Sequence, residues 1–401
     1  MIKIKKGIKI FGFVILGLFL FLNLLIVISG KFYLYNGIAK TYLRGKSGPN
    51  IYDLELFEYN TVKKSTKPYV WKNHQKKNNY SLTNNDLVYN EKIKTRAFLV
   101  FRSDTMLYEK YWTPHSLNTV SNSFSAAKSV ISMLIGIAIE EGEIKSIEEP
   151  ASNYLPEYKK RGREKITIKD LLLMASGLDW NESGKNPLSH NAEGYYGYDL
   201  KGLISRLNLV EKPGQKFDYQ SGNTQILGFI LEKATGKTVT SYMKEKIWNP
   251  LGAGSDAFWS LDKEAGDEKA FCCLYATARD FALLGRILIN KGNVDGRQIV
   301  PKWYMEELIK TPSIQTSEGI PNRRYGLHTW VYYNNGNPVY YCRGLLGQYV
   351  MAIPSKDLII VRLGEKRDKK VEKIIDKDKV GHTEDLFYFI NLASKIASKI
   401  K

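Results

Sequence analysis

The chain has 401 residues, 43% hydrophobic and 25% charged, enough to bury a large core in two lobes or one large domain. Its formal net charge of +18 comes from lysines scattered along the chain, with no basic run interleaved with aromatics, which argues against a nucleic-acid reader and suits anionic lipid or cell wall polymer. Cys272, Cys273 and Cys342 show no metal-type spacing, and adjacent cysteines are poorly placed to bridge each other, so buried free thiols are expected.

Residues 1–9 are a basic N-terminus carrying Lys3, Lys5, Lys6 and Lys9. Residues 10–30 form a run broken only by Asn23 and Ser29, and crossing a bilayer takes about 20 apolar residues. The run exceeds the roughly 7 to 15 apolar residues of a signal peptide and shows no clear cleavage site, which favours an uncleaved single-pass anchor. Lys31, Lys40, Arg44 and Lys46 nearly balance the charge in front, so orientation is weakly specified; the expectation is a body outside the cytoplasm, at the periplasm or cell surface. Residues 31–94 are expected as a linker or stalk wrapping the domain, irregular from 46 onward. Residues 95–401 then form the folded domain, with a helical lobe over about 125–310.

Residues 97–101 and 106–112 are β-branched and aromatic around a short turn, which predicts a hairpin. Residues 126–139 are almost all apolar or small, and a helix apolar all round belongs in a core. Ser125 opens that helix, and Lys128 shares its face one turn on. A lysine entering an apolar core has its ammonium disfavoured, and a neutral Lys128 beside Ser125 can accept the proton of an attacking hydroxyl. The pattern Ser-x-x-Lys also occurs at Ser241, Ser260 and Ser398, so the motif alone decides nothing. An N-capping serine with a snorkelling lysine is the other reading of the pair.

Thr167 is expected to cap a short helix over 166–174 that stops near Gly177. The loop 180–200 is crowded with aromatics, Tyr195 and Tyr196 among them, and reads either as a lid over substrate or as ordinary surface. Pro213-Gly214 introduces Tyr219, Ser221 and Asn223, followed by an amphipathic helix ending at Gly236. A further helix is predicted over 276–288, capped by Thr277. Residues 325–333, 338–342, 348–353 and 358–363 read as an antiparallel meander, and a last amphipathic helix starts at 383–385.

The order Ser125-x-x-Lys128, then Tyr219, then a glycine-rich turn between late strands resembles the serine β-lactamase and penicillin-binding protein superfamily. Within it the chain looks most similar to the class C and esterase-type branch and to 6-aminohexanoate-dimer hydrolases, through residues 124–130, 171–180, 217–228, 276–285 and 341–348. The resemblance implies an α/β (α+β) fold: an antiparallel sheet flanked by terminal helices, with an inserted, mainly helical lobe. It implies a nucleophile at Ser125, proton traffic shared by Lys128 and Tyr219, and an oxyanion hole made by the backbone NH groups of Ser125 and Leu345. The third motif falls at Cys342-Arg343-Gly344, where a glycine lets substrate approach the strand closely.

Three departures stand out. Cys342 replaces the cation that the family uses near a substrate carboxylate, with Arg343 placed to point the other way. Tyr219-Gln220-Ser221 lacks the asparagine of Tyr-x-Asn, leaving Ser221 or Asn223 for amide contacts. His328-Thr329 is followed by Trp330 rather than glycine and reads as packing. The implied activity is hydrolysis of a small amide, ester or short peptide through an acyl-serine, with no cofactor and no metal. A cell wall D-amino acid peptidase, a β-lactamase and a non-catalytic penicillin-binding sensor or binding domain are the alternatives.

Overall fold

Side chains of successive strand residues point to opposite faces, and here both faces are apolar, so the central sheet must be covered twice. The computed structural model describes residues 2–372 and 378–400. The chain opens with α1 (Ile2–Ser29), α2 (Tyr33–Lys40), β1 (Tyr59–Val62), β2 (Lys72–Asn73) and α3 (Asn84–Lys92). The hairpin β3 (Thr95–Arg102) and β4 (Thr105–Tyr111) leads through β5 (Ser121–Asn122) into α4 (Ala127–Glu140). Helices α5 (Ile168–Leu172), α6 (His190–Tyr196) and α7 (Leu200–Arg206) precede β6 (Lys216–Phe217), α8 (Ser221–Thr235) and α9 (Val239–Met243). Then come β7 (Ala257–Ser260), β8 (Leu274–Ala276), α10 (Ala278–Ile289), β9 (Asn293–Val294), β10 (Arg297–Gln298), α11 (Lys302–Leu308) and β11 (Gln315–Thr316). The meander β12 (Trp330–Asn334), β13 (Asn337–Gly344), β14 (Gln348–Ile353) and β15 (Leu358–Gly364) is followed by α12 (Glu384–Lys399).

Seven strands form one sheet in the order β12-β13-β14-β15-β3-β4-β2, antiparallel except where β2 lies parallel beside β4. Leu99, Phe101, Val350, Ala352, Ile359 and Val361 pack on one face with α4 and α10. Phe98, Val100, Tyr349, Met351 and Ile360 pack on the other with Leu386, Phe389, Ile390 and Ile396 of α12. This is the layered α/β architecture expected from the sequence. A second, four-stranded sheet runs β1-β7-β8-β5, and its edge strand β5 delivers the chain to Ser125. α1 is apolar from Lys9 to Ser29, with a mean hydropathy of 2.9, and projects from the folded body; by length and composition it can cross a membrane.

Several local expectations change. The stretch 46–94 is not irregular throughout: Tyr59–Val62 pairs with Ala257–Ser260, a partner too distant in sequence for local periodicity to reveal. The first meander strand starts at Trp330, because His328 takes φ 52 and breaks the extended chain before it. Cys272 and Cys273 are joined as a disulfide, where free thiols were expected; the backbone turns at Cys273 with φ 68 and brings the neighbouring sulfurs together. Cys342 is the free, buried thiol.

Candidate active site

Asn122 fixes the approach to Ser125. Its Oδ1 accepts from Phe124 N at 2.8 Å and its Nδ2 donates to Tyr275 OH at 3.0 Å. Phe124 then adopts φ 46, a left-handed conformation costly for an aromatic residue and held only by surrounding structure. The tight turn Phe124–Ala126 that follows leaves Ser125 half-buried at the head of α4.

Lys128 lies one turn further on and is 1% exposed. Its Nζ donates to Phe271 O at 2.6 Å and Ser221 Oγ at 3.0 Å, and lies 3.2 Å from Ser125 Oγ. Burial brings its pKa down to about 8, against the opposing pull of Glu182. Glu182 comes from the loop after α5 and reaches the head of α8: Ser221 Oγ donates to its Oε1, and Ser221 N and Trp180 Nε1 to its Oε2, each at 2.7 Å. Burial pushes the Glu182 carboxyl up, while Lys128 and these donors oppose the shift.

Counting protons orients the lysine. Ser221 gives its hydroxyl proton to Glu182 and can therefore only accept from Lys128; the Phe271 carbonyl is also acceptor only. A neutral amine has two protons and one lone pair. With both protons committed, the lone pair is left facing Ser125 Oγ, the geometry a proton acceptor needs.

The Tyr219 ring packs 5.7 Å from Trp330, 5.8 Å from Tyr325 and 5.4 Å from Lys128 Nζ. Burial and then the Glu182 charge raise the phenol's pKa, while the Ser125 side chain and the charges of Arg343 and Arg367 draw it down. On β13 the side chains alternate: Cys342 enters the core on the α4 face, whereas Arg343 lies on the opposite face, its Cζ 3.3 Å from the Trp330 ring centre and its Nη1 donating to Gly381 O at 3.0 Å. At Gly344 a Cβ would collide with the Ser123 carbonyl, so the glycine allows the close approach of this strand to the Ser125 turn. Leu345 follows it, 37% exposed.

The structure thus brings Ser125, Lys128, Tyr219 and Ser221 together, with Gly344 and Leu345 beside the turn. Asn223 stands apart: its Oδ1 accepts from Ser176 Oγ and its Nδ2 faces Met174 Sδ. Tyr195 and Tyr196 do not line the site either. Tyr195 is buried with its hydroxyl on Asp53, and both rings pack on Phe57, because α6 turns them toward the N-terminal segment. His328 is packing, held between Thr224 Oγ1 and the Leu172 carbonyl. Glu182 escaped the sequence reading, since it sits on a loop without periodicity and meets its partner only through the fold; an acid two residues past Trp180, where one of the resembling stretches ends, was the available signal.

Comparison with known proteins agrees with this architecture. The Beta-lactamase family profile matches residues 85–383. The 6-aminohexanoate-dimer hydrolase of Paenarthrobacter ureafaciens is 27% identical over 289 residues, spanning 68% of this chain and 73% of that protein. The teichoic acid D-alanine hydrolase of Staphylococcus aureus (strain MRSA252) is 29% identical over 174 residues, 42% of this chain and 38% of the relative. A solved Bacillus anthracis structure, assigned by name to the 6-aminohexanoate-dimer hydrolases, superposes with a TM-score of 0.72 at 22% identity, covering 88% of this chain and 93% of that one. The chain belongs to the β-lactamase family of serine hydrolases.

Proposed function

We propose that this protein is a membrane-anchored hydrolase, its catalytic domain outside the cytoplasm, that cleaves small amides or esters through an acyl-Ser125 intermediate. The observation carrying the proposal is the buried Lys128 Nζ, 3.2 Å from Ser125 Oγ and held by Ser221 Oγ and the Phe271 carbonyl, which once neutral can turn its lone pair to Ser125. Ser125 Oγ attacks the acyl carbon as its proton passes to Lys128. The negative charge that develops on the carbonyl oxygen is met by the backbone NH groups of Ser125 and Leu345. As the carbon–nitrogen or carbon–oxygen bond breaks, Tyr219, recharged from Lys128, gives a proton to the leaving group. Water then attacks the acyl-serine, with the same pair accepting its proton, and the acid is released. Glu182 acts through Ser221 to hold the lysine in this orientation.

Cys342, buried where the family's cation would stand, supports simple amides and esters over penicillins or D-amino acid peptides as substrates. The test is intact-mass spectrometry of the full chain in detergent after treatment with a small fluorophosphonate, beside Ser125→Ala. A single adduct is expected, absent in the variant, together with a loss of at least about 10³-fold in turnover of an activated ester. An unmodified wild-type protein, or an adduct that survives Ser125→Ala, overturns the mechanism. A stable penicillin adduct on Ser125 would move the substrate class to cell wall peptides.

A further inference from the structure

The helix after the apolar segment carries an apolar stripe that stays exposed among the described residues. Tyr35 and Ile38 lie three residues apart on one face of α2, with Phe32 at its N-cap and Tyr42 just past its C-cap Thr41; the four are 39%, 43%, 52% and 69% exposed. The opposite face is occupied: Tyr33 donates to Pro187 O, Asn36 to Tyr196 O, and Gly37 lies against the Tyr196 ring. Leu188, next to Pro187 in the loop that receives α2, is also exposed. The loop receiving α2 is the one that carries Glu182 to Ser221.

Position identifies what covers the stripe. Only Gly30, Lys31 and Phe32 separate α1 from α2, too few for a stalk. Tyr35 OH donates to Asn23 Oδ1 at 2.7 Å, and Asn23 lies six residues inside the apolar run, about 9 Å along the helix at 1.5 Å per residue. An interfacial helix buries its apolar face about 5–10 Å into the headgroup boundary, the depth this contact implies. Lys31, Arg44 and Lys46 flank the stripe with positive charge, which suits an anionic surface.

We propose that α2 and the residues at its two ends dock through Phe32, Tyr35, Ile38 and Tyr42 onto an anionic lipid surface and hold the Glu182 loop at the membrane. The catalytic cleft then meets substrates presented at the lipid–water boundary. The inference rests on reading α1 as a membrane anchor.

The test places an environment-sensitive fluorophore on single introduced cysteines of the full chain, reconstituted in vesicles of phosphatidylcholine and phosphatidylglycerol. The three native cysteines are buried and one pair is bonded, which leaves the introduced thiol as the reactive one. Labels at Ile38→Cys, Tyr42→Cys and Leu188→Cys are expected to lose most of their emission when nitroxide-bearing lipid is added, as is Leu20→Cys within α1, while Glu91→Cys on α3 stays bright. A label at 20 that is quenched, with a solvent-like label at any of 38, 42 or 188, overturns the docking and leaves the anchor standing. An unquenched label at 20 removes the anchor and the docking together.

Discussion

Lys128 is a base only while its protons are spoken for, so its pKa and its hydrogen bonds make separate predictions. With a pKa of about 8, the neutral fraction grows as pH rises through 8; acylation by an activated ester, followed by stopped flow, is expected to rise with pH and level off above that point. Glu182→Gln removes the anion that supports the ammonium, so the same rising limb moves to lower pH. Glu182→Ala does this and also frees the Ser221 proton, so the amine loses its orientation and the plateau falls by about 10²-fold. An unshifted limb in Glu182→Gln would assign the carboxylate to holding Ser221 and Trp180 in place and nothing more. Ser125 and Lys128 could be singled out in the sequence because, of the four Ser-x-x-Lys patterns, only this one opens a long apolar helix. Glu182 could not, because its role depends on a hydroxyl 39 residues away.

Among the elements, β13 comes hard against the Ser125 turn at Gly344, which faces the Ser123 carbonyl. Gly344→Ala forces a methyl group against the Ser123 carbonyl, an overpacking that costs about 1–3 kcal/mol where it cannot relax. Relaxation here means withdrawing the strand that carries Leu345. The expected result is a modest fall in thermal midpoint with a loss of about 10²-fold in acylation, the size of a lost oxyanion donor; full acylation in the alanine variant would separate this strand from the chemistry. The long strands and amphipathic helices were readable because each carries its own period. Thr277 capping α10 through Asp280 N is one such local signal. Tyr59–Val62 was not, being four residues of mixed character that become a strand only when Ala257–Ser260 lies beside them.

For the molecule as a whole, the segment before the family match belongs to the core. Trp71 is nearly buried, with its ring 4.2 Å from Phe101 on the main sheet and Arg286 stacked near it. Trp71→Ala is expected to cost about 3–5 kcal/mol, read as a lowered midpoint in thermal or urea unfolding. A variant as stable as the parent would make residues 46–94 a dispensable wrapping. The main sheet also has a consequence in time. β3 pairs with β15 along its length, from Leu358 opposite Arg102 to Leu363 opposite Ala97, so the sheet stays open until β15 has left the ribosome. Until then the strand ending at Gly344 has no frame to hold it against Ser125, and a chain stalled short of residue 364 would carry a serine and a lysine but no enzyme.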